Sequence, residues 1–319
     1  MDRKSRLHAL VLLCLMLISQ TAAVLRYDYY DNTCPDVENI VRSALIPVFL
    51  DVRAPAAMIR LLFHDCQVDG CEASILLNKG TDGTRETDSP SNLGIRKLSA
   101  IDKVKVQLEA VCPQTVSCAD IIALAARDAV ARSGGPDIRM PLGRLDGFEA
   151  SSAAATQALP PATISASGAV RLFEAMGMNL DESVAMLGSH TVGAAHCTNF
   201  VDRLYPQLDP DLGPVFGASL RARCPNRSDP AINLLGFLDT TFLRFDNSYF
   251  KNVLNHRGLL SVDSALAYDP TTRPVVEAFA NDEGAFFRAY ASGLVKLSSY
   301  RVLSGSQGEV RVNCGVSNR

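Results

Sequence analysis

An apolar run beginning at about Ala56 carries a guanidinium and an imidazole four residues apart, in Arg60-Leu61-Leu62-Phe63-His64-Asp65-Cys66. At helical spacing, positions i and i+4 lie on one face, so Arg60 and His64 point into the same space. Holding a permanent cation beside a neutral imidazole in a dry environment is costly unless something there uses the pair. The plain alternative is an Arg and a His near a helix C-terminus, favoured by the helix dipole. The sharper reading is a bound small molecule whose proton His64 moves and whose departing charge Arg60 stabilises.

The N-terminus reads as an address. Arg3, Lys4 and Arg6 precede an apolar stretch, Ala9 to Ile18, and Thr21-Ala22-Ala23 offers a small-residue cleavage site. The expectation is a signal peptide over residues 1–23 and a single domain over 24–319. The apolar stretch is too short to cross a bilayer, which takes about 20 residues. No membrane span is expected, and the chain is expected to be secreted. Removing Cys14 with the leader leaves Cys34, Cys66, Cys71, Cys112, Cys118, Cys197, Cys224 and Cys314. An even number in a secreted chain implies disulfides, but spacing alone leaves on the order of a hundred pairings open. Zinc is a poor competitor, because no second cysteine pair with nearby histidines matches Cys66 and Cys71. The leader also takes Asp2 with its three cations, leaving 28 basic and 33 acidic residues and a net charge of −5. No basic tract interleaved with aromatics is present, so nucleic acid is not an expected partner. Asn226-Arg227-Ser228 is a sequon in a polar segment.

Helical periodicity dominates the remainder. Val104, Leu108 and Val111 are spaced for one helix face leading to Cys112, and Ile121, Ile122, Leu124 and Ala125 for the core of another. Leu172, Phe173 and Met176 mark a third helix, with Gly177 suited to a left-handed cap. Asn179 and Glu182 form a capping pair that starts a helix running into Ser189-His190-Thr191. Phe286, Tyr290, Leu294 and Leu297 mark a long C-terminal helix. Strand signals are few, with short pairings expected at Met140–Leu142 and Glu309–Val312. Residues 78–91, 151–167 and 206–214 read as loops. The fold class is therefore mostly α, with two helical lobes around a site and minor β pairing.

Eight ordered motifs then carry a resemblance. They are Tyr30-Asp-Asn-Thr-Cys-Pro35, Arg60-Leu-Leu-Phe-His-Asp-Cys66, Gly70-Cys-Glu-Ala-Ser74, Val116-Ser-Cys-Ala-Asp120, Gly134-Gly-Pro136, Pro141-Leu-Gly-Arg144, Gly188-Ser-His-Thr-Val-Gly193 and Phe245-Asp-Asn247. Together they resemble the class III secretory haem peroxidases of plants, from about Tyr29 to Cys314. The resemblance implies reduction of H2O2 to water, with small phenolic or aromatic donors oxidised in one-electron steps through ferryl intermediates. It implies haem b and two Ca2+, and a monomer in the cell wall, with the vacuole as the other destination.

Residue by residue, the resemblance makes His190 the ligand of haem iron and Asp263 the acceptor for its other ring nitrogen, a partner that enriches the iron in electron density. Arg60 and His64 become the distal cation and acid–base. Asn92 holds the His64 ring with Glu86 behind it, Phe63 shields the reacting oxygen, and Pro160 orients aromatic donors. The implied disulfides are Cys34–Cys112, Cys66–Cys71, Cys118–Cys314 and Cys197–Cys224. Closing the roughly 200-residue loop of the third is worth roughly 5 kcal/mol in the chain-entropy account. Asp65, Val68, Gly70, Glu72 and Ser74 would bind a distal calcium, and Thr191, Asp239, Thr241, Arg244 and Asp246 a proximal one. The chain departs from the family at several positions. Glu72 stands in place of Asp, Gln67 in place of a common aromatic and Ile138 in place of a tryptophan. The segment from Asp239 to Asp246 is one residue short and lacks its proline. Glu72 is expected to loosen the distal calcium. His196 and His256 have no catalytic counterpart and are expected to be structural or surface residues.

Two other function classes compete: a haem- or calcium-binding wall protein with little turnover, and a metal-dependent hydrolase using His64 and Asp65. The Arg60, His64, Asn92 and Asp263 set argues against the first, and the lack of a three-ligand cluster against the second.

Overall fold

The structure, a computed structural model, describes residues 25–226 and 234–319. The leader, its cleavage point and the sequon residues Arg227 and Ser228 lie outside the described residues. Twelve α-helices are present among those described, with one two-stranded sheet.

The first lobe is built from α1 (Val37–Leu45), α2 (Ala54–Gln67), α3 (Leu98–Val111) and α4 (Cys118–Arg132). Pro55, at the start of α2, occupies a position where its missing N–H costs nothing. Helix α4 packs along α2 and is buried almost throughout, from Cys118 to Val130. Its N-terminus is capped by the Ser117 hydroxyl, which accepts from Asp120 N at 3.1 Å. Fully buried Asp120 then accepts from Tyr30 Oη and Arg144 Nη1, each at 2.7 Å. Arg144 Nη1 also donates to the Pro141 carbonyl and Nε to that of Ser298, so the buried pair is hydrogen-bonded on most sides, with Arg144 Nη2 left without a partner.

The second lobe contains α5 (Ser152–Ala158), α6 (Ala166–Glu174), α7 (Leu180–Leu187), α8 (Pro214–Arg223), α9 (Ser248–Leu254), α10 (Ser261–Tyr268) and α11 (Arg273–Asn281). Helix α12 (Glu283–Ser298) buries Phe286, Tyr290, Leu294 and Leu297 and packs against both α7 and α2, joining the lobes. The α7 capping box forms, with Glu182 N donating to Asn179 Oδ1 at 2.8 Å and Asn179 N donating to Glu182 Oε2 at 2.7 Å. Gly177 takes φ of +81°, the left-handed conformation its position demands.

Local readings fail at three places. Residues 151–167 contain helix α5, because Ser151 caps an alanine-rich segment whose Ser, Thr and Pro neighbours read as loop. Val111 is exposed: the buried stripe of α3 runs through Ile101, Val104, Lys105 and Leu108 and ends a turn earlier. The sheet pairs β1 (Ala194–His196) antiparallel with β2 (Leu235–Phe237), strands too short to show an alternating pattern. The segments expected to make short pairings do so as single bridges, Arg26 with Leu142 and Asp146 with Glu309. Four disulfides join Cys34 to Cys112, Cys66 to Cys71, Cys118 to Cys314 and Cys197 to Cys224.

Candidate active site

Helix α2 presents Arg60 and His64 one turn apart, and Arg60 Nε donates to His64 Nε2 at 3.0 Å. Nε2 is therefore the acceptor and Nδ1 carries the proton, which points at Asn92 Oδ1, 2.6 Å away. Asn92 is oriented in turn, its Nδ2 donating to the Glu86 carbonyl at 2.7 Å. The backbone of Glu86, not its carboxylate, supports the chain. Burial first, then the neighbouring Arg60 charge, pushes the His64 pKa down to about 3, against a small opposing effect of Asn92. Burial, with Arg96 nearby, lowers Arg60 to about 10. The guanidinium is further fixed by the carbonyls of Leu93, at 3.1 Å, and Ser91, at 3.4 Å.

Phe63 stands edge-on to His64 and touches Phe173 of α6 at 6.0 Å between centroids. It also packs on the small cluster of Val68, Ala155 and Leu159. Pro160 follows Leu159 directly, and two residues later the Ala162 carbonyl accepts from Val262 N of α10. The loop carrying Pro160 thus runs from the Phe63 side to the helix that carries Asp263.

His190 lies in the 3-10 turn after α7. Its Nδ1 is 2.8 Å from Asp263 Oδ1, and its side chain is 29% exposed in otherwise buried surroundings. Fully buried Asp263 also accepts from Tyr249 Oη and Leu260 N, each at 2.9 Å. No described protein group bonds His190 Nε2, so this nitrogen is available to a metal. An imidazole with one nitrogen tied to a carboxylate and the other open is the donor arrangement that haem iron takes. The two faces are held together at their rims. A Cβ on Gly193 would lie 2.9 Å from Ala56, and one on Gly94 would lie 2.6 Å from His196 Nε2 and 3.6 Å from Arg60 Nη1. His196, read from sequence as structural or surface, therefore sits at the edge of the Arg60 side. The strand pairing that puts it there left no sequence signal. His256 bonds the Tyr268 hydroxyl at 2.6 Å on the surface.

Two oxygen clusters flank these faces. Below His64, Asp65 Oδ1, Ser74 Oγ and Glu86 Oε2 are buried without a hydrogen-bond partner. Burial, reinforced by like charges, pushes Asp65 well above the carboxylate range and both Glu72 and Glu86 up to about 8. The Glu72 carboxylate lies where a Cβ on Gly147 would stand. The Val68 carbonyl accepts from Gly70 N at 2.8 Å. Beside His190, Thr191 Oγ1 donates to Asp239 Oδ2 at 3.1 Å and contacts Asp246 Oδ1 at 3.4 Å, while Thr241 Oγ1 is 3.0 Å from each of those carboxylates. The shortened segment still converges. Arg244 turns its guanidinium to Asp246, 3.8 Å away. No three His, Cys, Asp or Glu side chains form a closed metal cage among the described residues. The clusters mix carboxylates with hydroxyls and backbone carbonyls, a composition that fits a hard cation, and the orphaned oxygens of the first mark where one would be held.

Known proteins resemble this chain over most of its length. The family model described as Peroxidase matches residues 37–282. Peroxidase 29 of Arabidopsis thaliana is 46% identical over 298 residues, covering 91% of this chain and 88% of that protein. Peroxidase 57 of the same plant is 43% identical, covering 92% of each chain. Peroxidase 4 of Vitis vinifera is 41% identical, covering 93% of each.

Proposed function

The chain belongs to the peroxidase family, among the class III haem enzymes of plants that reduce H2O2 at the expense of reducing substrates, and from that premise we propose how its residues divide the work. The observation that carries the assignment is the pair of differently partnered histidines: His64 held by an amide beside a cation, His190 held by a carboxylate.

Bound haem supplies the redox-active iron at which peroxide is cleaved and small aromatic donors are oxidised. His190 Nε2 would hold that iron, with Asp263 keeping the proton on Nδ1 and so strengthening Nε2 as a donor. On the other face, His64 Nε2 takes the proton from one peroxide oxygen and delivers it to the departing one, while Arg60 stabilises the charge that develops there. Before it can do so, peroxide must displace the Arg60 Nε–H that occupies Nε2 at 3.0 Å. Asn92 prevents the ring from turning. Phe63 closes the space above, and the Pro160 loop at its side is where a phenolic ring would dock. Asp65, Val68, Gly70, Glu72 and Ser74 would hold one Ca2+ below His64. Thr191, Asp239, Thr241, Asp246 and the Arg244 carbonyl would hold a second beside His190. Four disulfides suit an oxidising compartment and support secretion, to the cell wall or the vacuole. The working unit is one chain, since both faces and both oxygen clusters come from it.

Haem-reconstituted protein with H2O2 and guaiacol tests the reading. A Soret band with peroxide-dependent turnover, lost in His64→Ala while the band remains, is the expected result. A Soret band with no turnover would identify a passive haem binder instead.

A further inference from the structure

Away from both histidines, a pocket of about 210 Å³ opens between α8 and β2. Two arginines line it, and each rests on an aromatic ring. The Arg223 guanidinium lies 4.6 Å from the centroid of Phe237, and that of Arg257 lies 5.2 Å from Phe216. Phe237 stacks in turn on Phe242, with centroids 3.8 Å apart and planes 7° from parallel. The stack fixes where Arg223 points and leaves Phe237 39% exposed. Among the described residues, neither guanidinium has a carboxylate within ion-pair distance. Asp239 lines the floor, but its oxygens are committed to Thr191, Thr241 and Asn252.

We propose that this pocket is a second ligand site, taking a small aromatic carboxylate with its acid group between Arg223 and Arg257 and its ring against Phe216 and Phe237. Both guanidinia line the same pocket, so an anion there meets two cations. The planar fork of arginine matches a carboxylate. The aromatic walls suit a ring, which buries area at little entropic cost. Size sets the class of ligand: sites for drug-sized molecules run to about 300–1,000 Å³, so this pocket admits one ring and its acid group. The lining shares Asp239 with the calcium set proposed beside His190 but includes none of Arg60, His64 or His190, and the proposal does not rest on the peroxidase reading.

Calorimetric titration of the haem-loaded full chain without peroxide tests it, using benzoate, benzyl alcohol and inorganic phosphate as probes. Benzoate is expected to bind at one site that leaves the Soret band unmoved, with the other two at least about tenfold weaker. Arg223→Ala and Arg257→Ala should each weaken benzoate at least about tenfold without changing guaiacol turnover, since each removes a charge-assisted contact. Arg223→Lys keeps the charge but not the fork and should fall in between, separating lost recognition from a collapsed stack. The proposal is overturned if wild-type protein does not bind benzoate, or if binding moves the Soret band and ignores both arginine substitutions. Phosphate binding as tightly as benzoate would equally overturn it, leaving a site that reads charge alone.

Discussion

His64 and His190 are the same side chain placed in two electrostatic settings. His64 is buried, faces an amide oxygen and shares its face with a guanidinium, so it is held neutral with Nε2 as the basic atom. His190 faces a buried carboxylate that is itself held by Tyr249 and Leu260, so its Nδ1 proton is fixed and Nε2 becomes the stronger metal donor. The lesson lies in the partner. An amide orients an imidazole without adding charge, whereas a carboxylate also raises the donor strength of the opposite nitrogen.

Substitutions that erase this contrast should have the largest effects. His64→Ala removes the exchanging group but no haem contact from the His190 side. The peroxide step should slow by about 10²–10⁴-fold with haem retained, as followed by stopped-flow absorbance. Near-normal rates would break the distal half of the comparison. Asp263→Asn leaves His190 in place but replaces its carboxylate partner with an amide like that of His64. Haem affinity or turnover should fall by about 10–100-fold, and resonance Raman spectra of the ferrous enzyme should show a weaker iron–imidazole bond. An unshifted band would mean that the carboxylate does not tune His190.

The protonation of His64 gives a third test. Its pKa is lowered to about 3, so the peroxide step should be flat above that value and lose about tenfold per unit below it. The same shift sets a sign for stability. The unfolded imidazole gains a proton near pH 6.5 and the folded one only near 3, so the His64 contribution is complete above 6.5 and is lost as pH falls through that window. A rate that falls with an apparent pKa near 6.5 would show an exposed, ordinary histidine.

The smallest effect, a change of a few-fold, concerns the calcium proposed below His64. Glu72 carries one methylene more than Asp, and its carboxylate fits only because Gly147 lacks a Cβ. Glu72→Asp should make activity more resistant to EDTA, because the shorter chain costs less to order. Gly147→Ala should make it less resistant. Calcium content measured along the same titrations checks both, and identical curves would mean that the loop absorbs the difference.

Sequence periodicity reaches one or two turns, and within that range it reads this chain well. The Arg60–His64 pair, the Asn179–Glu182 cap, the Gly177 stop and the buried stripe of the last helix are all local features, decided by 3.6-residue geometry and backbone hydrogen bonding. The ordered motifs carry the family, and with it the expectation that distant residues meet. What needed tertiary structure is each contact across a long stretch of chain. Asn92 reaches His64 from 28 residues away, and Asp263 reaches His190 from 73. Thr241 and Asp246 meet Thr191 despite a shortened segment, and His196 comes beside Gly94 through a three-residue strand. None of these has a local signature, because the free energy that brings such residues together comes from burying whole helix faces and closing disulfide loops. The sequence by itself determined which side chains could do chemistry and which helices would carry them. Packing within each lobe brought each histidine its partner, Asn92 to His64 and Asp263 to His190, and the physical reason is that such contacts span far more chain than a helical turn can reach.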